Sequence, residues 1–147
     1  MKDNKLKVAD KNDQKVYSIL LEMRDTINAY LKDGKTDLFK ALTGMGISFD
    51  LDDKFNTPFS KKVLKTLLKL KPGDTSTYSN LARIINSKAY RAVGGVLRNN
   101  PLPLIIPCHR VIKKDGTLGG FMGKMDKDWQ TNLKKSLLKI EGNIVSD

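Results

Sequence analysis

Ser79-Asn80-Leu81-Ala82-Arg83-Ile84-Ile85-Asn86-Ser87-Lys88-Ala89-Tyr90-Arg91-Ala92-Val93-Gly94-Gly95-Val96-Leu97-Arg98 reads as two short helices joined by a tight polar turn. Ser79 to Ile85 forms the first. Asn86-Ser87 breaks it, and Ser87 offers a cap for a second helix from Lys88 to about Arg98. This is the pattern of a helix-turn-helix. The second helix is rich in small residues: Ala89, Ala92, Gly94 and Gly95. Glycine weakens a helix by about 1 kcal/mol relative to alanine. Two adjacent glycines therefore point to close approach of another backbone or of a ligand.

Downstream, Asn99-Asn100-Pro101 ends the second helix, and Leu104-Ile105-Ile106 is a short run expected to be buried. Arg110 to Lys114 and Thr117 to Leu118 flank Asp115-Gly116, a hairpin-turn signal. A helix-turn-helix followed by a hairpin predicts a winged-helix arrangement. Asp126 is placed to cap a last helix with Trp129, Leu133, Leu137 and Ile140 on one face, Trp129 in the core. Upstream, Thr57-Pro58 is a helix start, an N-cap residue followed by proline at the first helical position. That helix carries Phe59, Val63, Leu64, Leu67 and Leu68 and stops at Lys71-Pro72-Gly73. Val16, Ile19, Leu20, Met23, Ile27, Tyr30 and Leu31 space as an amphipathic helix ending near Gly34. Residues 35–53 are mixed, and Ile47 to Leu51 alternates as a short strand. Residues 1–15 are polar and expected to fray. The expected fold is α+β: a reduced helix-plus-strand region, 1–54, then a mostly helical winged-helix-like domain, 55–147.

The chain has 147 residues and a net charge of +11. That length suits one domain, or one domain with a small appendage. Residues 1–57 hold 10 Lys+Arg and 10 Asp+Glu, whereas residues 58–147 hold 17 and 6. All the excess charge lies in the second part, which suits a polyanion such as nucleic acid. A single cysteine excludes an intramolecular disulfide and points to a reducing, intracellular compartment. One Cys and one His supply only two of the four ligands of a usual zinc site, so no metal is expected. There is no apolar run near 18 residues and no signal-peptide pattern, so the expected location is cytoplasmic or nucleoid, without membrane contact.

Cys108 is the one cysteine, and the next residue, His109, is the one histidine. They lie in Ile106-Pro107-Cys108-His109-Arg110-Val111. A free thiol has a pKa of about 8.5, so an attacking cysteine needs a base. Neighbours in an extended segment point to opposite sides. Either the backbone bends after Pro107, or a water relays the proton. The imidazole also needs a carboxylate to orient it. The basic part offers Asp74, Asp115, Asp126, Asp128, Asp147 and its one glutamate, Glu141.

The segment from Ile106 to Val111 resembles the active-site motif of the O6-alkylguanine-DNA alkyltransferases, the methylated-DNA–protein-cysteine methyltransferases. The resemblance covers about residues 55–142. Thr57-Pro58-Phe59 is similar to the start of the family's C-terminal domain, and Gly73 to Tyr78 with Leu81-Ala82 to the approach to its helix-turn-helix. Arg91 to Gly95 resembles the recognition helix, and Asn99-Asn100-Pro101-Leu102-Pro103 the turn after it. The loop from Gly116 to Gly123 and Ile140-Glu141-Gly142 extend the match. The resemblance implies that Cys108 takes the alkyl group from O6 of a damaged guanine, and by extension from O4-methylthymine, once per molecule and without a cofactor. It implies that His109 acts through a bridging water, oriented by Glu141, and that Tyr78 donates to the departing guanine. Asn100 would brace the turn. The backbone at Cys108 and Val111, the amide of Met122, and Pro103 would contact the base. Arg91 would fill the space left by the flipped guanine. Tyr90, Ala92 and Gly94 would meet duplex DNA in its minor groove, where little sequence is read, and Arg98 would contact a phosphate. A monomer is expected. Phe121 and Met122 stand where many members have tyrosine and serine, and Leu64 where a tryptophan is common.

Three other readings compete. An alkyltransferase-like damage sensor keeps the scaffold but lacks the reactive cysteine. A plain winged-helix regulator gives no reason for Pro107-Cys108-His109-Arg110. A thiol hydrolase needs direct Cys–His contact from separate segments and an oxyanion hole, and it turns over.

Overall fold

Thr57 sets the start of the helix on which the domain is built. Its hydroxyl accepts from the Ser60 N–H at 3.0 Å, and the Ser60 hydroxyl accepts from the Thr57 N–H at 3.0 Å, a reciprocal capping box. The structure is a computed structural model and describes residues 11–122 and 129–145. The chain runs α1 (Lys11–Asp33), α2 (Leu38–Gly44), α3 (Pro58–Leu67), β1 (Ser76–Thr77), α4 (Tyr78–Ile84), α5 (Tyr90–Arg98), a single 3-10 turn (Cys108–Arg110), β2 (Val111–Ile112) and α6 (Trp129–Ile140). It is helix-dominated α+β, as expected. The expected frayed terminus is helical from Lys11, and residues 1–10 lie outside the described residues.

Thr77 caps α4 by accepting from the Asn80 N–H at 3.1 Å. Asn86, at φ 58, turns the chain between α4 and α5. α5 begins two residues later than the sequence predicts. Ser87 does not cap its first turn; its hydroxyl accepts from the Ala89 N–H instead, at 3.0 Å. Val93 and Leu97 of α5 join Leu81 and Ala82 of α4 and Val63 and Leu67 of α3 in one buried cluster. Each fully buried aliphatic side chain there stabilises by roughly 1.5–3 kcal/mol. The helix-turn-helix is held from behind by α3, which leaves the other side of α5 free.

The expected hairpin wing does not form as a paired ladder. Asp115-Gly116 does turn: the Lys113 N–H donates to the Thr117 carbonyl at 2.9 Å, and Asp115 accepts from the Thr117 N–H at 3.0 Å. Gly119, at φ +70, then redirects the chain two residues later, so the returning arm is too short to pair. β2 pairs instead with β1, in parallel, with Ser76 opposite Val111 and Thr77 opposite Ile112. This pairing ties the segment after Cys108 to the start of α4. The run Leu104 to Ile106 is also bent, with Leu104 at φ 79, and only Ile106 is fully buried.

The strand expected over residues 47–51 joins no ladder, because no described strand lies beside it. Phe49 packs on Phe39 with ring centroids 5.7 Å apart. α2, capped by Asp37 and burying Leu38 and Leu42, was not anticipated. In α1 only Tyr30 is buried; Val16, Tyr17 and Leu20 are more than half exposed.

α6 is rotated from its expected face. Trp129 is 62% exposed, and the buried residues are Thr131, Lys134, Leu137 and Leu138. The face that packs inward continues to Glu141, one turn on from Leu137 and Leu138. It brings Lys134 and Glu141, not Trp129, into the interior, where both find partners. The expected cap, Asp126, lies outside the described residues. Gly34 closes α1 at φ +67, its N–H donating to Tyr30 at 2.7 Å. A Cβ there would collide with the Ile140 carbonyl, so the ends of α1 and α6 meet backbone to backbone. Among the described residues no helix is long and apolar enough to cross a membrane.

Candidate functional site

Pro107 sits at φ −81 and ψ 57, and Cys108–Arg110 follows as one 3-10 turn. The Arg110 N–H donates to the Pro107 carbonyl at 3.1 Å. The backbone therefore bends after Pro107, yet no hydrogen bond joins the Cys108 and His109 side chains: Nε2 of the ring faces Glu141 and Tyr30, and the thiol faces Asn100. Cys108 is 6% exposed, yet it lines a cavity of about 500 Å³. Of the expected residues, Tyr78, Tyr90, Arg91, Gly94, Arg98 and Met122 line it too. Gly119 makes room there: a Cβ on it would lie 3.2 Å from the Tyr78 hydroxyl. Lys113 and Phe121 complete the wall on that side.

Asn100 holds the thiol. Its Nδ2 donates to Cys108 Sγ at 3.1 Å and to the Ile106 carbonyl at 3.1 Å, and its Oδ1 accepts from the Leu102 N–H at 3.0 Å. One amide thus braces the 100–108 turn and supplies a donor to sulfur. Burial pushes the Cys108 thiol up from its ordinary pKa; the Asn100 donor and the Lys134 charge act the other way without overcoming it. The resting sulfur is therefore a thiol. Burial likewise raises the Tyr78 phenol, with Cys108 adding to the shift, so Tyr78 stays a proton donor at neutral pH.

His109 is fully buried, and its Nε2 lies 2.9 Å from Glu141 Oε1. Its Nδ1 has no protein hydrogen-bond partner. Burial lowers the His109 pKa, although Glu141 partly opposes this, so the ring is neutral at pH 7. The Glu141 side chain is completely enclosed. Arg110 Nη2 donates to its Oε1 at 2.8 Å and Arg110 Nε to its Oε2 at 3.0 Å. The Gly73 N–H donates to Oε2 at 3.3 Å. Burial alone would raise this carboxyl, but hydrogen bonds from His109, Arg110 and Tyr30 outweigh it and hold it at about 2.

The remaining expected residues are not among those lining the cavity. Val111 is buried; its N–H donates to the Cys108 carbonyl, and its own carbonyl accepts from Lys134 Nζ at 2.6 Å. Pro103 is half-buried and bridged to Ile106, and Ala92 is exposed on α5. Met122 sits at φ 51.

Three site residues were missed in the sequence. Tyr30 of α1 donates to Glu141 Oε1 at 2.5 Å. Arg110 also donates from Nη1 to the Leu70 carbonyl, at 2.7 Å. Lys134, fully buried, donates to Val111 and, at 3.2 Å, to Gly120. Burial lowers its pKa to about 8, while Cys108 acts in the opposite direction. The usable signal for Lys134 was its place three and four residues before Leu137 and Leu138, on one helix face.

A helix-turn-helix with a buried cysteine lining a cavity beside its second helix defines a scaffold built around one thiol. Residues 58–143 match the family model for the DNA-binding domain of 6-O-methylguanine DNA methyltransferase, and the chain belongs to that family. The methylated-DNA–protein-cysteine methyltransferase of Methanosarcina mazei is 46% identical over 88 residues, 59% of this chain and 52% of that protein. The chain spans about half the length, or less, of such curated relatives. The crystal structure of O6-methylguanine-DNA methyltransferase from Pyrococcus kodakaraensis superposes with a TM-score of 0.60 at 27% identity, over 88% of this chain and 78% of that one. Mycobacterium tuberculosis OGT in complex with DNA gives 0.51 at 38% identity, over 58% and 49%.

Proposed function

We propose that the chain repairs duplex DNA by moving an alkyl group from O6 of a flipped-out guanine onto Cys108, once per molecule. The observation that carries this reading is the Cys108 thiol opening into a cavity walled by Tyr78 and by Arg91 of α5. The relative solved with DNA supports the same partner. The net charge of +11, all of it within residues 58–147, suits the phosphate backbone. Ala92 and Gly95 leave α5 with a low, exposed surface that suits a narrow groove, and the exposed Arg91 and Arg98 flank it. Arg91, at the cavity edge, is suited to take the place of the flipped base.

The chemistry follows from the contacts. Sulfur attacks the alkyl carbon, the C–O6 bond breaks, and its electron pair goes to the guanine. The thiol proton passes through a water to His109 Nδ1, the ring nitrogen without a protein partner. The imidazolium so formed is stabilised by Glu141 at 2.9 Å. Tyr78, kept protonated by burial, donates to the guanine as charge develops on it. A thioether does not hydrolyse, so the protein is consumed. In this reading residues 55–147 form the reacting unit, monomeric and intracellular, and residues 1–54 are an N-terminal addition to it.

Incubation with duplex DNA carrying labelled O6-methylguanine should place one equivalent of label on Cys108 and none on Cys108→Ala protein. Methylated DNA left intact by excess reduced protein would overturn the reading.

A further inference from the structure

We infer that Tyr30 is a positioning residue for the proton acceptor: it shares the Glu141 carboxylate with His109 and so reinforces the tautomer that leaves Nδ1 as the base. This rests on the proposed role of His109. Tyr30 comes from α1, outside the residues that match the family model. It is fully buried, with its hydroxyl 2.5 Å from Glu141 Oε1 and 3.3 Å from His109 Nε2. A phenol has one proton. Glu141 is ionised and only accepts, so that proton points at the carboxylate. Burial and the neighbouring carboxylate keep Tyr30 protonated far above neutral pH.

The phenol oxygen then offers His109 only lone pairs. Nε2 lies 2.9 Å from one acceptor and 3.3 Å from another, so it must carry the hydrogen. Nδ1 is left with the lone pair. Tyr30 also draws charge from the carboxylate oxygen that would stabilise an imidazolium. The other charged or titratable groups acting on His109 are Arg110 on its own turn and Lys134 of α6, both disfavouring the cation. Removing the phenol oxygen concentrates charge on Glu141 Oε1 and makes His109 easier to protonate.

His109 is the only histidine, so nitrogen-15 NMR of histidine-labelled protein reads a single ring, without alkylated DNA. The wild-type ring should be the Nε2–H tautomer, and Tyr30→Phe should raise its titration midpoint by about half a unit or more. The acid limb of the alkyl-transfer rate should move up with it. An Nδ1–H ring in the wild type overturns the inference, and so does an unmoved midpoint in Tyr30→Phe. The wild-type tautomer can overturn the inference even if the variant does not fold. Wild-type protein that never accepts an alkyl group would sink the proposed function and leave the ring measurement standing.

Discussion

Asn100 has two jobs at the thiol, and one substitution separates them from the cavity. Its Nδ2 is the side-chain donor to Cys108 Sγ, and its other contacts hold the turn at Ile106 and Leu102. Asn100→Ala removes a donor that favours the thiolate, so the Cys108 pKa should rise further. Leaving the Leu102 N–H and Ile106 carbonyl short of a partner should cost about 1–3 kcal/mol of stability. Thiolate absorbance against pH reads one sulfur, since there is one cysteine. A lower or unchanged midpoint in the variant would refute the role. At this scale the sequence was legible where residue types are rare. One cysteine, one histidine and one glutamate in the basic part could be paired by scarcity and by family spacing. Tyr30 and Lys134 were not legible, because an isolated helical lysine or tyrosine reads as a solvated or core residue until the packed face is known. Arg110 stood in the motif in full view, but its bidentate partner is 31 residues away.

α5 is the element where fold stability and proposed function pull apart. A Cβ on Gly95 meets nothing within 4 Å, and the residue is exposed in mid-helix. Gly95→Ala should therefore stabilise the protein by up to about 1 kcal/mol through helix propensity alone. If this surface enters a narrow groove, the same methyl should weaken DNA binding. Denaturant melts and a DNA titration on the same variant check both signs. A variant both more stable and unimpaired on DNA would move the interface off this surface. Elements whose signals are local were readable from the chain: α3 begins at Pro58 because Thr57 and Ser60 cap each other. Elements set by distant partners were not. Val111-Ile112 pairs with Ser76-Thr77, 35 residues earlier, while the adjacent turn suggested a hairpin. Trp129 lay on a plausible apolar face of α6, but Lys134 and Glu141 have buried partners, and those contacts turn the helix the other way.

Across the whole molecule Glu141 is the junction of four segments. Tyr30 brings α1 to it, His109 and Arg110 bring the 3-10 turn, Gly73 brings the loop after α3, and Glu141 itself follows α6. Its folded pKa of about 2 lies below the ordinary 4.5. A depressed carboxylate contributes stability that is complete above the unfolded value and is lost as pH falls through the folded one. That contribution is on the order of 3 kcal/mol, lost between about pH 4.5 and pH 2. His109 adds an earlier window. Its folded pKa is lowered, so the unfolded chain takes up a proton below about 6.5 before the native ring does, and stability falls from there. Chemical denaturation at stepped pH should show two successive losses on acidification in the wild type. Glu141→Gln should be less stable at pH 7 and should lack the lower loss. A wild-type profile flat between pH 4.5 and pH 2.5 would mean that the junction does not hold α1, the reactive turn and α6 together.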